Sequence, residues 1–453
     1  MEILIGLLLL IVMLVVGVPV FWTFLGVAIF LVVSLDYDPI FLLPYGYSQL
    51  NSPLLLAIPL FIIAGKLIER GGLGDVIVEW TEVLLGRIRG GLGVTTVVAC
   101  AIFGSISGSA LAALSTIGSI MFSKLHRAGY PRGFAAALVA NASILGLLIP
   151  PSGIMILYAW IANVSVLAAF LSTLLPGIIL LVLLSAINLI FMRGRMRRGV
   201  SVGAKAGAMG RMGETPVSPQ VPERMPFGTQ AKAFGAKTVK GIPALVLPVI
   251  ILGGIYGGVF TTVEAAVVAA LYAIPVGLWV YRRLRVFELR EVLIEAAGTT
   301  GVVMVMAYAM MILSRVFTME NLPTAVGDFL FAISESPVVI LIMINVFIII
   351  LGMLIDDVSG TLLITPILLP VAVGIGVDPI HFAAILGVNL GMANITPPTA
   401  PLLYFGSQLG NAPINEMMKP TLVMIFCAWI PTLIATTYIP ELSLWLPQMI
   451  LDY

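Results

Sequence analysis

The chain has 453 residues, of which 60% are hydrophobic and only 10% are charged. A soluble globular protein carries about 25% charged residues, so this composition excludes an ordinary water-soluble fold. The 23 basic and 22 acidic residues leave a net charge of +1, which provides no overall field for binding nucleic acid. The sequence has no hydrolase, zinc-binding or ATP-binding motif, so we expect a membrane protein that is not an enzyme.

The first apolar run, residues 3–33, is longer than the ~20 residues that cross a bilayer as a helix. It is too long for a signal peptide and is followed by no small-residue cleavage site. We therefore expect it to form a span that places Met1 inside and Asp36 outside. The next span is expected to end inside at Arg70.

Two stretches mix charged and apolar residues at helical spacing, and we predict that they lie along the cytoplasmic surface. They are residues 75–87, where Glu79 and Glu82 stand among valines and leucines, and residues 288–295. Such helices are either ordinary interfacial connectors or arms that brace a moving unit.

The apolar run of residues 91–122 has basic residues at both ends, with Arg87 before it and Lys124 after it. Both ends are therefore expected to face the cytoplasm. Two complete crossings need ~40 residues, whereas this run has about 32 and is interrupted at residues 104–109. We predict a re-entrant hairpin that enters and leaves on the same side, with its tip at the middle of the bilayer.

A basic segment divides the sequence into two halves. It follows a predicted span, and ten of the 23 basic residues fall within it, between Arg193 and Lys240, which predicts a cytoplasmic loop. Residues 241–281 are then long enough for one outward and one inward span, separated by a break at residues 257–262.

The second half repeats the hairpin in the opposite orientation. Residues 338–373 form another apolar run, which is broken at residues 356–361 and flanked by acidic residues, so this hairpin is predicted to open outward. The pattern Pro-x-x-Phe-Ala-Ala follows each hairpin, at Pro131 and at Pro379, and leads to an asparagine and then a Pro-Pro pair. Inverted repeats with broken helices that meet near the midplane are a recurrent architecture of secondary transporters.

The interrupted helices supply the chemistry of a transport site. Carbonyls freed by the Pro-Pro pairs, together with side-chain oxygens, suit sodium, while helix N-termini attract a carboxylate. The alternative interpretation is that these small residues only allow close helix packing. The predicted sodium ligands are Ser105, Ser107, Gly108, Asn141, Gly146, Ile149, Asp356, Ser359, Gly360, Asn389, Asn394 and Thr396. The predicted substrate-binding residues are Ser107, Ser109, Pro151, Ser152, Pro398 and Thr399.

Four charged residues have predicted roles within the apolar runs. Asp356 and Asp357 would each cost ~2.5 to 3.5 kcal/mol near the midplane if charged and unpaired. We expect a partner, which is sodium, a proton or the amides of a helix start, with N-capping by Asp357 as the structural alternative. Glu264 is expected to cap a helix rather than to act in transport. Arg315 is expected to extend toward the interface rather than to contact substrate.

Several segments together resemble one transporter family, namely residues 58–61 with 64–65, 104–110, 142–152, 241–244 with 253–256 and 264–266, and 396–399 with the second hairpin. They are similar to the large membrane subunit of tripartite ATP-independent periplasmic (TRAP) transporters, over nearly the whole chain. The resemblance implies an elevator mechanism, in which the hairpins and broken helices form a transport domain that moves across the bilayer against a scaffold.

The resemblance also implies two partners. One is a small four-span membrane subunit that braces the scaffold, and we expect it to be a separate chain. The other is a secreted binding protein that delivers the organic anion from the periplasm. The protein is expected to be a multi-pass component of the inner membrane of a bacterium or archaeon.

These features predict an all-α polytopic membrane protein that imports a small carboxylate, such as a C4-dicarboxylate, sugar acid or keto acid. Sodium is the expected coupling ion, and no other cofactor is expected. The alternatives are a stand-alone symporter driven by sodium or protons and, from another class, a passive channel. The predicted organisation is scaffold spans with an arm helix (1–90), first hairpin with broken helix (91–163), a span (164–192), a basic cytoplasmic loop (193–240), scaffold spans with an arm helix (241–335), second hairpin with broken helix (336–405) and C-terminal spans (406–453).

Overall fold

The computed structural model describes residues 1–86, 88, 90–197, 227–397 and 399–451 of the chain. Within these residues every regular element is helical, which confirms the predicted all-α class. Six of the described helices are long and apolar enough to cross a bilayer, and two bent helix pairs bring the number of candidate spans up to eight. The predicted polytopic membrane architecture is therefore confirmed.

The first half of the chain alternates apolar spans with short connecting helices, and a 3₁₀ turn (Pro53–Leu56) joins its third and fourth helices. Its helices are α1 (Glu2–Val16), α2 (Val20–Ser34), α3 (Pro39–Leu50), α4 (Ala57–Arg70), α5 (Leu73–Leu85), α6 (Gly91–Ser107), α7 (Ala110–Arg127), α8 (Arg132–Ser143), α9 (Leu145–Leu148), α10 (Gly153–Ala162) and α11 (Val166–Arg197).

The second half has a similar order of elements. Turns of π-helix extend α13 through Val276–Val280 and join α20 to α21 through Ile425–Trp429. The helices are α12 (Phe227–Tyr256), α13 (Thr262–Pro275), α14 (Glu288–Met319), α15 (Leu322–Ile333), α16 (Pro337–Gly352), α17 (Asp357–Gly374), α18 (Pro379–Ala393), α19 (Pro401–Gly410), α20 (Ile414–Met424), α21 (Ile430–Tyr438) and α22 (Glu441–Leu451).

Two ion pairs bring basic residues from distant parts of the chain to α5, at one end of the molecule. Glu82 of α5 pairs with Lys124 of α7 at 2.6 Å, and Asp75 of α5 pairs with Arg283 at 3.7 Å. We call this the basic end. The positive-inside rule places it on the cytoplasmic side.

Residues 3–33 do not form the single span predicted from hydropathy. The chain turns back at Gly17, which has a φ of +87° and ends α1, and Pro19 precedes α2. A left-handed glycine followed by a proline is a common way to stop a helix. Each helix has 15 residues and is therefore only about 22 Å long.

α1 and α2 run antiparallel. A Cβ atom at Gly6 would lie 2.8 Å from the side chain of Leu31, and one at Gly26 would lie 3.4 Å from the side chain of Met13. The start of α1 and the end of α2 therefore lie at the same end of the molecule.

Contacts with α14 identify that end. Arg70 pairs with Glu295, near the start of α14, at 2.6 Å, which places the start of α14 at the basic end. The Tyr37 hydroxyl, just after α2, donates a hydrogen bond to Glu320, just after the end of α14. The start of α1 therefore lies opposite the basic end, and the prediction that Met1 is inside is wrong.

The first predicted hairpin is confirmed as α6 and α7. Gly108 ends α6 with a φ of +63°, and the Ser109 side chain accepts a hydrogen bond from the Ala112 N–H at 3.4 Å, which caps α7. The interruption is narrower than the predicted one, since Gly104 to Ser107 remain in α6.

The second predicted hairpin is confirmed as α16 and α17, but its break lies earlier than predicted. Residues 353–356 interrupt the helix, and Asp356 is the N-cap of α17. Residues 357–361 were expected to be unwound and instead form the first turn of α17. Asp356 has the extended backbone of an N-cap, but its carboxylate accepts a hydrogen bond from the Ser359 hydroxyl and not from a backbone N–H of α17.

The packing of these elements confirms the internal repeat. α8 packs on α6 in the first half, as α18 packs on α16 in the second. The second helix of each broken helix packs on the hairpin of the other half: α10 packs on α17, and α19 packs on α7. Each broken helix thus crosses to the hairpin of the other repeat, and both breaks are brought together.

The second amphipathic connector is not residues 288–295. Those residues belong to the continuous 32-residue helix α14, since no proline interrupts it and its acidic residues pair with Arg70 of α4. The short helix α15 takes the expected place, because it packs on α17 as α5 packs on α7.

The C-terminal span packs against both broken helices. The span from Ile414 to Tyr438 packs on α8 through α20 and on α18 through α21. The short helix α22 follows and packs on α11.

Candidate functional site

A cavity of about 830 Å³ lies where the two hairpin breaks approach each other. One wall consists of residues 107–109 and 356–358, with Pro151 and Asn394 of the broken helices. The other wall consists of α4 and α14. The cavity therefore lies between the two repeats and these two spans.

The cavity contains part of the predicted site. Six of the predicted residues line it: Ser107, Gly108, Ser109, Pro151, Asp356 and Asn394. Pro398 lies outside the described residues. The other predicted residues do not line the cavity, and they are Ser105, Asn141, Gly146, Ile149, Ser152, Ser359, Gly360, Asn389, Thr396 and Thr399.

Close backbone contact joins the tip of the first hairpin to the first broken helix. A Cβ atom at Gly104 would lie 2.3 Å from the Gly146 Cα, and one at Gly108 would lie 2.9 Å from the Pro151 carbonyl oxygen. Only glycine allows this approach, because any side chain at Gly104 would overlap the backbone of α9. The tip and the Pro-Pro break thus form one wall.

Two hydroxyl groups in this wall have no hydrogen-bond partner in the described structure. The Oγ atoms of Ser107 and Ser152 are buried and make no hydrogen bond. A buried polar atom without a partner is unfavourable by about 1–3 kcal/mol, so native proteins rarely leave one unoccupied. Ser107 also lines the cavity, so its oxygen is available to a bound cation or substrate.

The second hairpin contributes two adjacent carboxylates. Asp356 accepts a hydrogen bond from the Ser359 hydroxyl, and Asp357 follows it as the first residue of α17. Both carboxylates line the cavity. A tip with two acids favours cations over anions in its immediate surroundings.

The two repeat-related asparagines differ. Asn141 donates to the Ala137 carbonyl at 2.8 Å, and its Oδ1 accepts a hydrogen bond from the Trp429 indole at 3.0 Å. Asn389 donates to Asn345 Oδ1 at 2.7 Å, whereas its own Oδ1 is buried without a partner. The Asn389 oxygen is therefore available for a ligand, while that of Asn141 is engaged with the C-terminal span.

The remaining predicted residues have local contacts. The Ser105 hydroxyl donates to the Ile102 carbonyl within α6 at 2.8 Å, and the Thr396 hydroxyl donates to the Met392 carbonyl near the end of α18 at 2.6 Å. Gly360 packs closely on Leu390, because a Cβ atom at Gly360 would lie 2.7 Å from the Leu390 side chain. Both hydroxyl oxygens can still accept a hydrogen bond or bind a cation. The same contacts are also typical of helices that only pack closely together.

The sequence interpretation missed the charged residues of the opposite wall. Lys66 and Glu69 of α4 line the cavity, with Ser115 of α7 and Thr299 of α14. The Ser115 hydroxyl donates to Glu69 Oε1 at 2.8 Å across the cavity edge. In the sequence, Lys66 and Glu69 are visible only as two charged residues near the end of a predicted span. Such charges indicate the orientation of the span, but they do not indicate that it lines a site.

Glu264 and Arg315 lie away from the cavity. Glu264 forms a capping box with Thr261, whose N–H donates to Glu264 Oε2 at 2.8 Å, so the capping interpretation is confirmed. The Arg315 guanidinium lies 5.2 Å from the centre of the Tyr45 ring.

Known proteins share both the sequence and the fold. The family model "Tripartite ATP-independent periplasmic transporter, DctM component" matches residues 7–442. The C4-dicarboxylate TRAP transporter large permease protein DctM of Pseudomonas aeruginosa is 34% identical over 396 residues, which cover 87% of this chain and 86% of the relative. The sialic acid TRAP transporter large permease protein SiaM of Vibrio cholerae is 31% identical over 438 residues, or 96% of each chain.

A solved structure extends the likeness to the fold. The YdaH transporter of Alcanivorax borkumensis matches with a TM-score of 0.59 at 14% identity, over 87% of this chain and 86% of its own. At that identity the match concerns the fold alone. The chain belongs to the DctM component family of tripartite ATP-independent periplasmic transporters, whose members are multi-pass inner-membrane permease subunits and not enzymes.

Proposed function

We propose that this chain imports a small organic acid together with sodium ions, by an elevator movement of its hairpins and broken helices. The observation that carries the proposal is the cavity bounded by both hairpin breaks. Its charges and its walls each support one part of the proposal.

The charges of the cavity favour cation coupling. Three carboxylates, of Glu69, Asp356 and Asp357, line it against the single ammonium group of Lys66 among the described lining residues. Two unit charges 4 Å apart interact by about 4 kcal/mol at an effective dielectric constant of 20, so an organic anion would be strongly repelled on its own. Bound sodium ions remove that repulsion, and carboxylate and hydroxyl oxygens are the ligands that hard cations prefer.

The walls of the cavity favour an elevator. One wall belongs to the interlocked repeats, which form the proposed transport domain, and the other to α4 and α14 of the proposed scaffold. Gly65 of α4 lies directly against the first tip, since a Cβ there would be 3.2 Å from the Ser107 carbonyl oxygen. A contact through glycine and backbone presents little obstacle to sliding. The cavity reaches toward the basic end of α4, which corresponds to an inward-facing state.

The three-part arrangement follows from the family. We propose a small four-span membrane subunit beside the scaffold and a periplasmic binding protein that delivers the acid. Relatives named for C4-dicarboxylates and for sialic acid indicate small carboxylates as the substrate class.

Reconstitution in liposomes tests the coupling. The chain is combined with a small subunit and a binding protein of this family from the same organism, and uptake of radiolabelled succinate and sialic acid is measured. An inward sodium gradient should drive uptake of at least one acid, only with the binding protein present. Equal uptake when potassium replaces sodium would contradict the coupling, and uptake without the binding protein would favour a stand-alone symporter.

A further inference from the structure

Lys66 lines the cavity, where its ammonium group can bind an anionic group of a substrate. Of the described residues that line the cavity, it is the only one with a cationic side chain. It follows Gly65, which contacts the tip residue Ser107. Lys66 and the first hairpin tip line the same cavity, so an acid held at the tip would share that cavity with this cationic side chain.

The ammonium group of Lys66 is only weakly engaged by protein. Among the described residues its one ion pair is with Glu295 Oε2 at 3.5 Å, whereas Arg70 lies 2.6 Å from Glu295 Oε1. The neighbouring Glu69 carboxylate accepts the Ser115 hydroxyl. Because Glu295 already has a closer partner, Lys66 keeps hydrogen-bond donors for a ligand, and its side chain is 26% exposed.

The first tip offers a separate place for an anionic group. The 18-residue helix α7 begins at Ala110 with its positive end toward the cavity, and the buried Ser107 hydroxyl beside it has no partner. One carboxylate at this tip and a second group at Lys66 would use both positive features of the cavity.

We propose that Lys66 is a specificity-determining residue that binds the second anionic group of a doubly charged acid. The inference rests on the proposed function and adds to it the charge of the substrate. Lys66 belongs to the scaffold, so it meets the acid only when the tips lie level with α4, as in this structure. It therefore acts on binding and release at the cytoplasmic side.

Succinate and butyrate are suitable probes, because both have four carbons and they differ in the second carboxylate. Their binding to the full chain in lipid nanodiscs is measured by calorimetry in sodium chloride and in choline chloride. The wild-type chain should bind succinate more tightly than butyrate. Lys66→Gln should weaken the affinity for succinate roughly 10- to 100-fold, which corresponds to the loss of one charge-assisted hydrogen bond. The affinity for butyrate should not change. Lys66→Arg should retain most of the preference.

Two further variants separate recognition from a structural role. Glu295→Gln removes the competing carboxylate, so succinate should bind as well as, or better than, in the wild type. Lys237→Gln is the matched control, because Lys237 pairs with Glu79 at 3.7 Å on the outside of α5. The proposal is overturned if Lys66→Gln binds succinate like the wild type, if Lys66→Gln and Glu295→Gln weaken both acids alike, or if the wild-type chain binds no succinate.

Sodium dependence distinguishes failure of this inference from failure of the proposed function. If choline supports the same binding as sodium while Lys66→Gln still weakens only succinate, the coupling is wrong and the role of Lys66 stands. If binding requires sodium but Lys66→Gln has no effect, the coupling stands and the role of Lys66 is wrong.

Discussion

Close backbone contact, rather than any single ligand, defines the site at the scale of residues. Gly104 meets Gly146 of α9, and Gly108 brings the first hairpin tip against Pro151 of the first Pro-Pro break, where the Ser107 and Ser152 oxygens are buried. The glycines and serines were predictable, because a cluster of small and polar residues within an apolar run indicates close packing or binding. Lys66 and Glu69 were not, since hydropathy does not reveal which face of a span meets a distant tip.

Gly104→Ala is expected to disrupt this contact. The added Cβ would lie 2.3 Å from the Gly146 Cα, and overpacking of this kind costs about 1–3 kcal/mol. We expect a lower thermal unfolding temperature and loss of sodium-driven uptake. Gly253→Ala in α12 is the control, because nothing lies within 4 Å of its Cβ. Equal stability of both variants would contradict the packing argument.

Asp357→Asn tests the carboxylates of the second tip. Removing one of the three cavity carboxylates should weaken sodium binding, so half-maximal uptake should require at least about tenfold more sodium, given charge-assisted bonds of about 1.5–3 kcal/mol. Asp328→Asn changes an exposed acid on α15 and should have no effect. An unchanged sodium dependence in Asp357→Asn would remove this carboxylate from the cation site.

At the scale of elements, the two hairpins were easier to predict than the reversal within the first apolar run. The two hairpins were predicted correctly because basic or acidic residues flank both of their ends, which fixes the side from which each enters. The run of residues 3–33 carries no internal charge, so its reversal at Gly17 left no electrostatic signal. Gly17 followed by Pro19 was the available clue, since this pair often ends a helix.

Labelling from outside the cell tests the antiparallel arrangement of α1 and α2. Single cysteines replace Glu2 and Asp38 in a Cys427→Ala background, because Cys427 is exposed whereas Cys100 is buried. A membrane-impermeant maleimide should label both positions from the periplasmic side and should not label a cysteine at Lys124. Labelling of position 38 without position 2 would restore the single span.

For the whole molecule, the inverted repeat explains why residues of both halves line the cavity at the hairpin breaks. The exchange of α10 and α19 between hairpins locks the two repeats into one unit, while α4 and α14 contact that unit at the cavity. The repeat was visible in the sequence as matched motifs. The exchange was not, because the motifs carry no information about which hairpin each broken helix contacts.

In the proposed elevator movement, the first tip slides past α4 during transport. Cysteines at Gly65 and Ser107 would place two Cβ atoms 3.7 Å apart, within the range of about 3.5–4.5 Å found in disulfides. A second pair at Glu69 and Ser115, which are joined by a 2.8 Å hydrogen bond, leaves Ser107 in place and uses a short bifunctional thiol reagent.

Sodium-driven uptake by these cross-linked variants is the most direct measurement. If the tip moves against a fixed α4, each cross-link should stop uptake, and reduction of the disulfide or of a cleavable reagent should restore it. Uptake that continues at the same rate while the cross-links are intact would contradict the account.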